Sequence, residues 1–177
     1  YNKFKIKLVI TGTNLRTREV AYFSATDTPK LPIVTAVRIS MGLPFVFKPV
    51  VISNDTALNK LNKRELEGIW VDGGLKDNIP ISVFSKENQK TGKKTLGIRL
   101  TNDGESSIAN FFEYLGALKD TVANSEAHVS SVNKINLDTI TLNTSGLSTT
   151  NFNPPEKLVE ERVSEAEKAV KEYLNLK

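Results

Sequence analysis

An aspartate followed by two glycines stands directly after a short apolar segment and is the feature best suited to chemistry. Residues 68–71 (GIWV) have the composition of a buried strand and run straight into Asp72, Gly73 and Gly74. Ligands of α/β sheets gather at the ends of strands, and two glycines let the backbone turn sharply there. A partly desolvated carboxylate in this place could act as a general base. The same residues fit a plain Asp-Gly turn, and local features alone leave both interpretations open.

Other titratable residues give weaker signals. His128 is the only histidine, and no carboxylates with the spacing of metal ligands accompany it. It is therefore expected at a solvated helix position, and no metal or other cofactor is predicted. A cluster of lysines could favour anionic lipid headgroups, although such surface lysines are usually only solvated. These lysines are Lys86, Lys90, Lys93 and Lys94.

The composition is that of a globular protein. The 177 residues are 39% hydrophobic, enough for a compact core, and no segment approaches the roughly 18 apolar residues that a transmembrane helix needs. Lys and Arg number 24 against 20 Asp and Glu, and a net charge of +4 is too small to indicate nucleic acid. The absence of cysteine excludes disulfides, thiolate metal sites and a cysteine nucleophile. The compartment stays open between cytoplasmic and secreted.

Around Asp72 the sequence predicts strands interleaved with helices. Apolar and polar residues alternate up to Ile10, which predicts a strand that ends in a turn over 11–14. The same alternation returns over 19–24, so the two strands are predicted to form an antiparallel hairpin. Pro32 fits the first turn of a helix over 33–39. The apolar residues 45–52 contain Pro49 and predict an irregular or edge strand. A polar insertion follows over 54–64.

The second half continues this alternation of elements. Its predicted elements are a lysine-rich loop over 85–94, a strand over 95–100, a long amphipathic helix over roughly 106–132, a strand over 135–142 and a final helix after Pro154 and Pro155. One face of the final helix carries Val159, Val163, Ala166, Val170 and Tyr173. Such an order predicts an α/β fold, with helices packed on a mixed, mostly parallel sheet.

Three blocks, taken in order, closely resemble patatin-like phospholipases. They are residues 13–19 (TNLRTRE), 36–49 (AVRISMGLPFVFKP) and 70–80 (WVDGGLKDNIP). The later strand, long helix and loop over 145–152 (SGLSTTNF) also look like the family, so the resemblance covers nearly all of residues 1–177. It implies a three-layer patatin-like fold, incomplete in this chain, and a lipid acyl hydrolase that uses a serine–aspartate dyad without histidine or cofactor.

The resemblance gives Asp72 the role of the base that takes the proton of a nucleophilic serine, with Gly73 and Gly74 supporting the motif. The family places its Gly-x-Ser-x-Gly elbow and glycine-rich oxyanion loop upstream of the block at Thr13, and neither occurs in this sequence. The chain therefore looks like the C-terminal part of the domain. Ser40 lies on a predicted helix and is interpreted as structural.

Two residues depart from the family pattern. Aspartate is more usual at Asn14 and glycine at Arg18, so the conformation of this turn is in question. The expected partners are a phospholipid or other acyl-lipid substrate, a transient membrane surface contact and the upstream half of the same domain, with no nucleic acid. The alternative function is that of a catalytically inactive fragment or relative with a binding, storage or interaction role.

Overall fold

The structure is a computed structural model that describes residues 6–53, 65–102, 117, 137–147 and 151–175. The chain divides into two compact units, Tyr1–Val83 and Phe84–Lys177, which are described separately. The insertion predicted over 54–64 lies outside the described residues, as does the helix predicted over 106–132 with His128, apart from the helical Ala117. Among the described residues, no helix is long and apolar enough to cross a membrane.

The first unit is built on a four-stranded sheet with the spatial order β2-β1-β4-β3. Its strands are β1 (Val9–Asn14), β2 (Glu19–Ser24), β3 (Val50–Ile52) and β4 (Gly68–Asp72). The predicted hairpin is confirmed, since β1 and β2 pair antiparallel in a continuous register. β3 lies at the edge of the sheet, as Pro49 predicted, because proline lacks the amide hydrogen that a central strand needs.

The turn predicted over residues 11–14 is wrong. These residues complete β1, and residues 12–14 pair with β2 on one side and with β4 on the other. Backbone pairing on both sides outweighs the local turn preference of Gly12 and Asn14. The chain reverses at 15–18 instead, where Arg18 has a positive φ of 60°.

Helix α1 (Ile33–Ser40) covers one face of this sheet and begins directly after Pro32, as predicted. Its packing on β1 is close, because a Cβ at Gly12 would lie 2.5 Å from Cγ2 of Ile39 and 2.8 Å from Cε2 of Phe23. Burial of apolar surface between helix and sheet is the main stabilising contribution. The core consists of Ala21, Phe23, Leu31, Ala36, Ile39, Ile52, Leu66 and Trp70.

A short 3-10 helix (Gly73–Leu75) and helix α2 (Ser82–Thr91) follow β4. Helix α2 occupies most of the segment predicted to be a lysine-rich loop, so that prediction is wrong. Lysine, glutamate and glutamine favour helix about as well as leucine does, and polar composition alone therefore does not indicate a loop. Gly92, with a φ of 65°, stands directly after α2, where a left-handed glycine commonly ends a helix.

The second unit contains a parallel strand pair and the C-terminal helix. Strands β5 (Thr95–Thr101) and β6 (Leu137–Asn143) pair from Thr95 opposite Leu137 to Thr101 opposite Asn143. Helix α3 (Glu156–Asn175) packs against β6 and confirms the predicted final helix. Its inner face differs from the predicted one.

Val159, Val163 and Val170 of α3 are exposed, although the sequence pattern placed them on the apolar face of the helix. The half-buried positions are the predicted Ala166 and Tyr173, together with Leu158, Arg162 and Ala169, each of which stands one residue before an exposed valine. The Tyr173 hydroxyl donates a 3.0 Å hydrogen bond to the Asp138 carboxylate, and Leu158 lies near Gly146, where an added Cβ would be 3.3 Å from Cδ2 of Leu158. The sequence pattern alone does not distinguish two neighbouring faces of α3, and contacts with the rest of the second unit determine which one is half-buried.

The α/β class with mixed strand pairing is confirmed, but the predicted predominance of parallel pairing is not found in the described strands. Three pairs, β1–β2, β1–β4 and β3–β4, are antiparallel, and β5–β6 is parallel. The connection of four residues between β1 and β2 permits only antiparallel pairing, because a parallel pair needs a crossover of about a dozen residues or more.

Candidate functional site

Asp72 is the last residue of β4, as the sequence predicted. It stands opposite Gly12 of the central strand β1, and its backbone N–H donates a 3.0 Å hydrogen bond to the carbonyl of Gly42, just after α1. Three segments therefore meet at this residue: β4, β1 and the exit from α1. Its side chain is half-buried, so the carboxylate is partly shielded from water and still accessible.

The Asp72 side chain is oriented by the turn that follows it. Its Oδ1 accepts a 2.9 Å hydrogen bond from the backbone N–H of Gly74 and so caps the 3-10 helix. The turn-capping interpretation is thus confirmed. A carboxylate that accepts a backbone N–H keeps its capacity to accept a proton, and a fixed orientation favours proton transfer to it. Capping and base catalysis are therefore compatible, and the role as a base stays a prediction.

The two glycines differ in what they permit. A Cβ at Gly73 would lie 2.2 Å from Oγ1 and 2.5 Å from Cβ of Thr11, distances that real atoms do not tolerate. At Gly74 the nearest atom would be Oδ1 of Asn78, at 3.0 Å. Gly73 is required for close approach of the turn to β1, whereas Gly74 contributes its N–H to Asp72. Thr11 of β1 therefore lies against the turn at Gly73, and Asp72 of β4 holds it through the N–H of Gly74.

The segment after the turn is anchored by a long-range contact that the sequence did not predict. The Tyr22 hydroxyl donates a 2.5 Å hydrogen bond to Oδ2 of Asp77, and Nζ of Lys76 donates one of 2.8 Å to the carbonyl of Arg18. The partners are 55 and 58 residues apart, so no local spacing could reveal them. Together they hold the chain after Asp72 against the β1–β2 hairpin.

Asn14, one of the departures from the family pattern, is buried and uses both ends of its amide. Nδ2 donates to the carbonyl of Glu67 at 2.9 Å, and Oδ1 accepts from the backbone N–H of Arg16 at 2.9 Å. An aspartate has no donor for the first of these bonds. The other departure, Arg18, occupies the left-handed conformation that glycine adopts at low cost.

Trp70 faces the core of the first unit. It is 2% exposed, its indole N–H donates to the carbonyl of Leu66 at 2.8 Å, and its ring meets Phe23 edge-on with centroids 5.2 Å apart. Trp70 and Asp72 are two residues apart on β4 and project from the same face. The buried indole therefore fixes the strand that presents the carboxylate.

The remaining candidates lie elsewhere. Ser40 is the last residue of α1 and so lies on a helix, as predicted; its interpretation as structural stays a prediction. His128 falls outside the described residues, and so does the side chain of Lys86. Lys90 and Lys93 are exposed, and Nζ of Lys94 lies 3.8 Å from Oδ2 of Asp138.

The sequence matches one family model and is similar to several other proteins. The family model described as patatin-like phospholipase matches residues 1–85, which confirms the resemblance over that part of the chain. "Uncharacterized protein R571" of Acanthamoeba polyphaga mimivirus is 29% identical over 147 residues, 78% of this chain and 43% of that protein. "Probable lipid hydrolase 463L" of Invertebrate iridescent virus 6 is 24% identical over 87 residues, 49% of this chain and 26% of that protein.

The fold is similar to a solved structure as well. VipD from Legionella pneumophila superposes with a TM-score of 0.53 at 18% identity, over 94% of this chain and 31% of that chain. This likeness and the family match confirm the predicted α/β, patatin-like fold. The chain spans less than half the length of each of these relatives.

Proposed function

We propose that the chain belongs to a lipid acyl hydrolase in which Asp72 is the general base of a serine–aspartate dyad, because residues 1–85 match the family model described as patatin-like phospholipase. The serine would come from a segment outside these 177 residues, since the sequence contains no Gly-x-Ser-x-Gly elbow. The substrate would be a phospholipid or a related acyl ester.

The proposed reaction has two halves. Asp72 takes the proton of the serine hydroxyl while the serine oxygen attacks the ester carbonyl carbon, and the carbon–oxygen bond to the lipid alcohol breaks. The alcohol leaves with the proton from Asp72. Water then attacks the acyl–serine ester, Asp72 accepts a proton from that water and returns it to the serine oxygen, and a fatty acid is released.

The observation that best supports the proposal is the way Asp72 is held. Its main chain is bonded to Gly42, and its carboxylate to the N–H of Gly74. Both bonds involve backbone groups, which are less mobile than side chains, so the carboxylate is oriented before any substrate binds. An aspartate whose only role is to cap an exposed turn does not need a half-buried position where β4, β1 and the exit from α1 meet.

Asp72→Asn is the most informative variant, because asparagine keeps the acceptor oxygen for Gly74 and loses the proton-accepting carboxylate. In the longer protein that supplies the serine, release of fatty acid from phosphatidylcholine in mixed micelles should fall about 10²- to 10⁴-fold. The free energy of unfolding should stay within about 0.5 kcal/mol of the parent value.

Asp27→Asn is the matched control. Asp27 lies in the same unit, and its carboxylate accepts a 2.7 Å hydrogen bond from Ser24, which asparagine can also accept. This variant should hydrolyse lipid like the parent. If Asp72→Asn does the same, the base is another group and the proposal fails.

The alternative function is non-catalytic, and the absence of the serine elbow from the sequence favours it. A purified protein of 19.6 kDa with no second polypeptide and no esterase activity would support a binding or interaction role. A second chain that bears Gly-x-Ser-x-Gly would instead support a dyad assembled from two chains of one cleaved precursor. Intact mass under denaturing conditions distinguishes the two cases.

A further inference from the structure

Helix α1 is apolar on both sides, and the side turned away from the sheet is exposed. Ala36 and Ile39 are buried against the sheet, but on the opposite side Ile33, Val34, Val37 and Met41 form one stripe at helical spacing. Val34 is 75% exposed. Phe45, 69% exposed and held at a positive φ of 69°, extends this surface, here called the α1 stripe. Isolated exposed apolar residues are ordinary, but a contiguous patch marks an interaction surface.

The chain around the α1 stripe has an unusual charge distribution. Residues 28–54 contain three cations, Lys30, Arg38 and Lys48, and no aspartate or glutamate. With 20 carboxylates in 177 residues, a segment of this length would hold about three at the average density. Lys30 and Lys48 are exposed. Every charged side chain within this segment is therefore positive.

Arg38 is held at the edge of the α1 stripe. Its Nη2 donates a 2.7 Å hydrogen bond to the carbonyl of Lys48, and its guanidinium carbon lies 5.6 Å from the ring centroid of Phe47. Cations beside exposed apolar and aromatic side chains are the composition of surfaces that lie in a membrane interface.

The α1 stripe ends beside the candidate base. Met41 is followed by Gly42, whose carbonyl accepts the hydrogen bond from the backbone N–H of Asp72. A surface that engages lipid at this point would bring acyl esters to the carboxylate. We propose that the α1 stripe, with Lys30, Arg38 and Lys48, binds an anionic lipid bilayer next to Asp72. This inference extends the proposed function and rests on it, because a lipid surface beside Asp72 serves catalysis only if Asp72 is the base.

Charge complementarity selects a lipid surface over a protein partner. A protein interface needs an apolar patch but does not require that carboxylates be absent from 27 consecutive residues. Anionic headgroups attract each nearby lysine or arginine and repel each carboxylate. The surface differs from the lysine-rich segment that the sequence suggested, most of which is helix α2.

The test is co-sedimentation of the chain with vesicles of phosphatidylcholine alone or mixed with phosphatidylglycerol. We expect binding to the anionic vesicles, weaker binding to the neutral ones and a decrease as salt is raised. Lys30→Gln and Lys48→Gln should each weaken binding about fivefold. Val34→Asp with Val37→Asp should weaken it about tenfold or more.

Val159→Asp with Val163→Asp is the matched control, because these valines are also exposed on a helix, but in the second unit. This pair should bind vesicles like the parent. Circular dichroism should show that both double variants keep their helical content. Asp72→Asn should bind at least as well as the parent, because it removes a carboxylate beside the α1 stripe. Vesicle binding is thus tested without turnover, and its failure is distinct from failure of the dyad.

Three results would overturn the inference. The parent chain could fail to bind phosphatidylglycerol vesicles, or Val34→Asp with Val37→Asp could bind as well as the parent. A parent dimer that becomes monomeric in this variant would assign the α1 stripe to a second copy of the chain. Binding by the 177-residue chain but not by a longer protein that contains it would assign the α1 stripe to that protein's interior.

Discussion

Replacement of Gly73 by alanine is predicted to destabilise the first unit severely. The new Cβ would lie 2.2 Å from Oγ1, 2.5 Å from Cβ and 2.7 Å from the carbonyl carbon of Thr11. Thr11 belongs to β1, where it is paired with Tyr22, so the obstructing atoms include backbone that cannot move without loss of strand pairing. Overpacking of this kind costs about 3 kcal/mol.

Gly74→Ala is the comparison for this variant. Its Cβ would meet Oδ1 of Asn78 at 3.0 Å, and that exposed side chain can rotate away. The expected cost is below about 1 kcal/mol. The difference of about 2 kcal/mol between two adjacent positions corresponds to about 30-fold in the folding equilibrium.

Urea denaturation followed by tryptophan fluorescence measures the free energy of unfolding of both variants, since Trp70 is the only tryptophan in the sequence and is buried. Thr11→Ala should partly rescue Gly73→Ala, because it removes Oγ1 and leaves Cβ. Equal stability of the Gly73→Ala and Gly74→Ala proteins, or no coupling between positions 11 and 73, would refute the packing argument.

Three further substitutions test the contacts that shape the site, all by the same unfolding measurement. Tyr22→Phe removes the hydrogen bond to Asp77 and should cost about 2 kcal/mol; no loss would mean that the bond does not hold the loop. Asn14→Asp places a carboxylate against the carbonyl of Glu67 and should cost about 3 kcal/mol. An unchanged free energy of unfolding would contradict the hydrogen bond from Nδ2 of Asn14 to that carbonyl. Arg18→Gly should stabilise the chain by about 0.5 kcal/mol, because glycine adopts a positive φ at lower cost than arginine. A loss of stability would contradict the claim that Arg18 is strained.

Local sequence signals were enough to place Asp72 in the fold but not to predict the contacts around it. An apolar segment that ends in Asp72, Gly73 and Gly74 correctly placed the aspartate at a strand end. Period-2 alternation gave the bounds of β2, and Pro32 gave the start of α1. These are features whose physical cause lies within a few residues of the position concerned.

The errors occurred where distant residues decide the outcome. Residues 11–14 are strand because β2 and β4 pair with β1, and no local pattern contains that information. The inner face of α3 depends on contacts of Tyr173 and Leu158 with residues in β6 and the loop after it. The Nδ2 donor of Asn14 likewise meets a carbonyl 53 residues away, a contact that no local pattern reveals.

The rate at which a fluorophosphonate ester labels the serine of the complete protein tests the central claim most directly, because labelling requires only an activated serine hydroxyl. If Asp72 is the base, Asp72→Asn should slow labelling by about 10²-fold or more while Asp27→Asn leaves the rate unchanged. Labelling of the Asp72→Asn protein at the parent rate would contradict the assignment of Asp72 as the group that activates the serine.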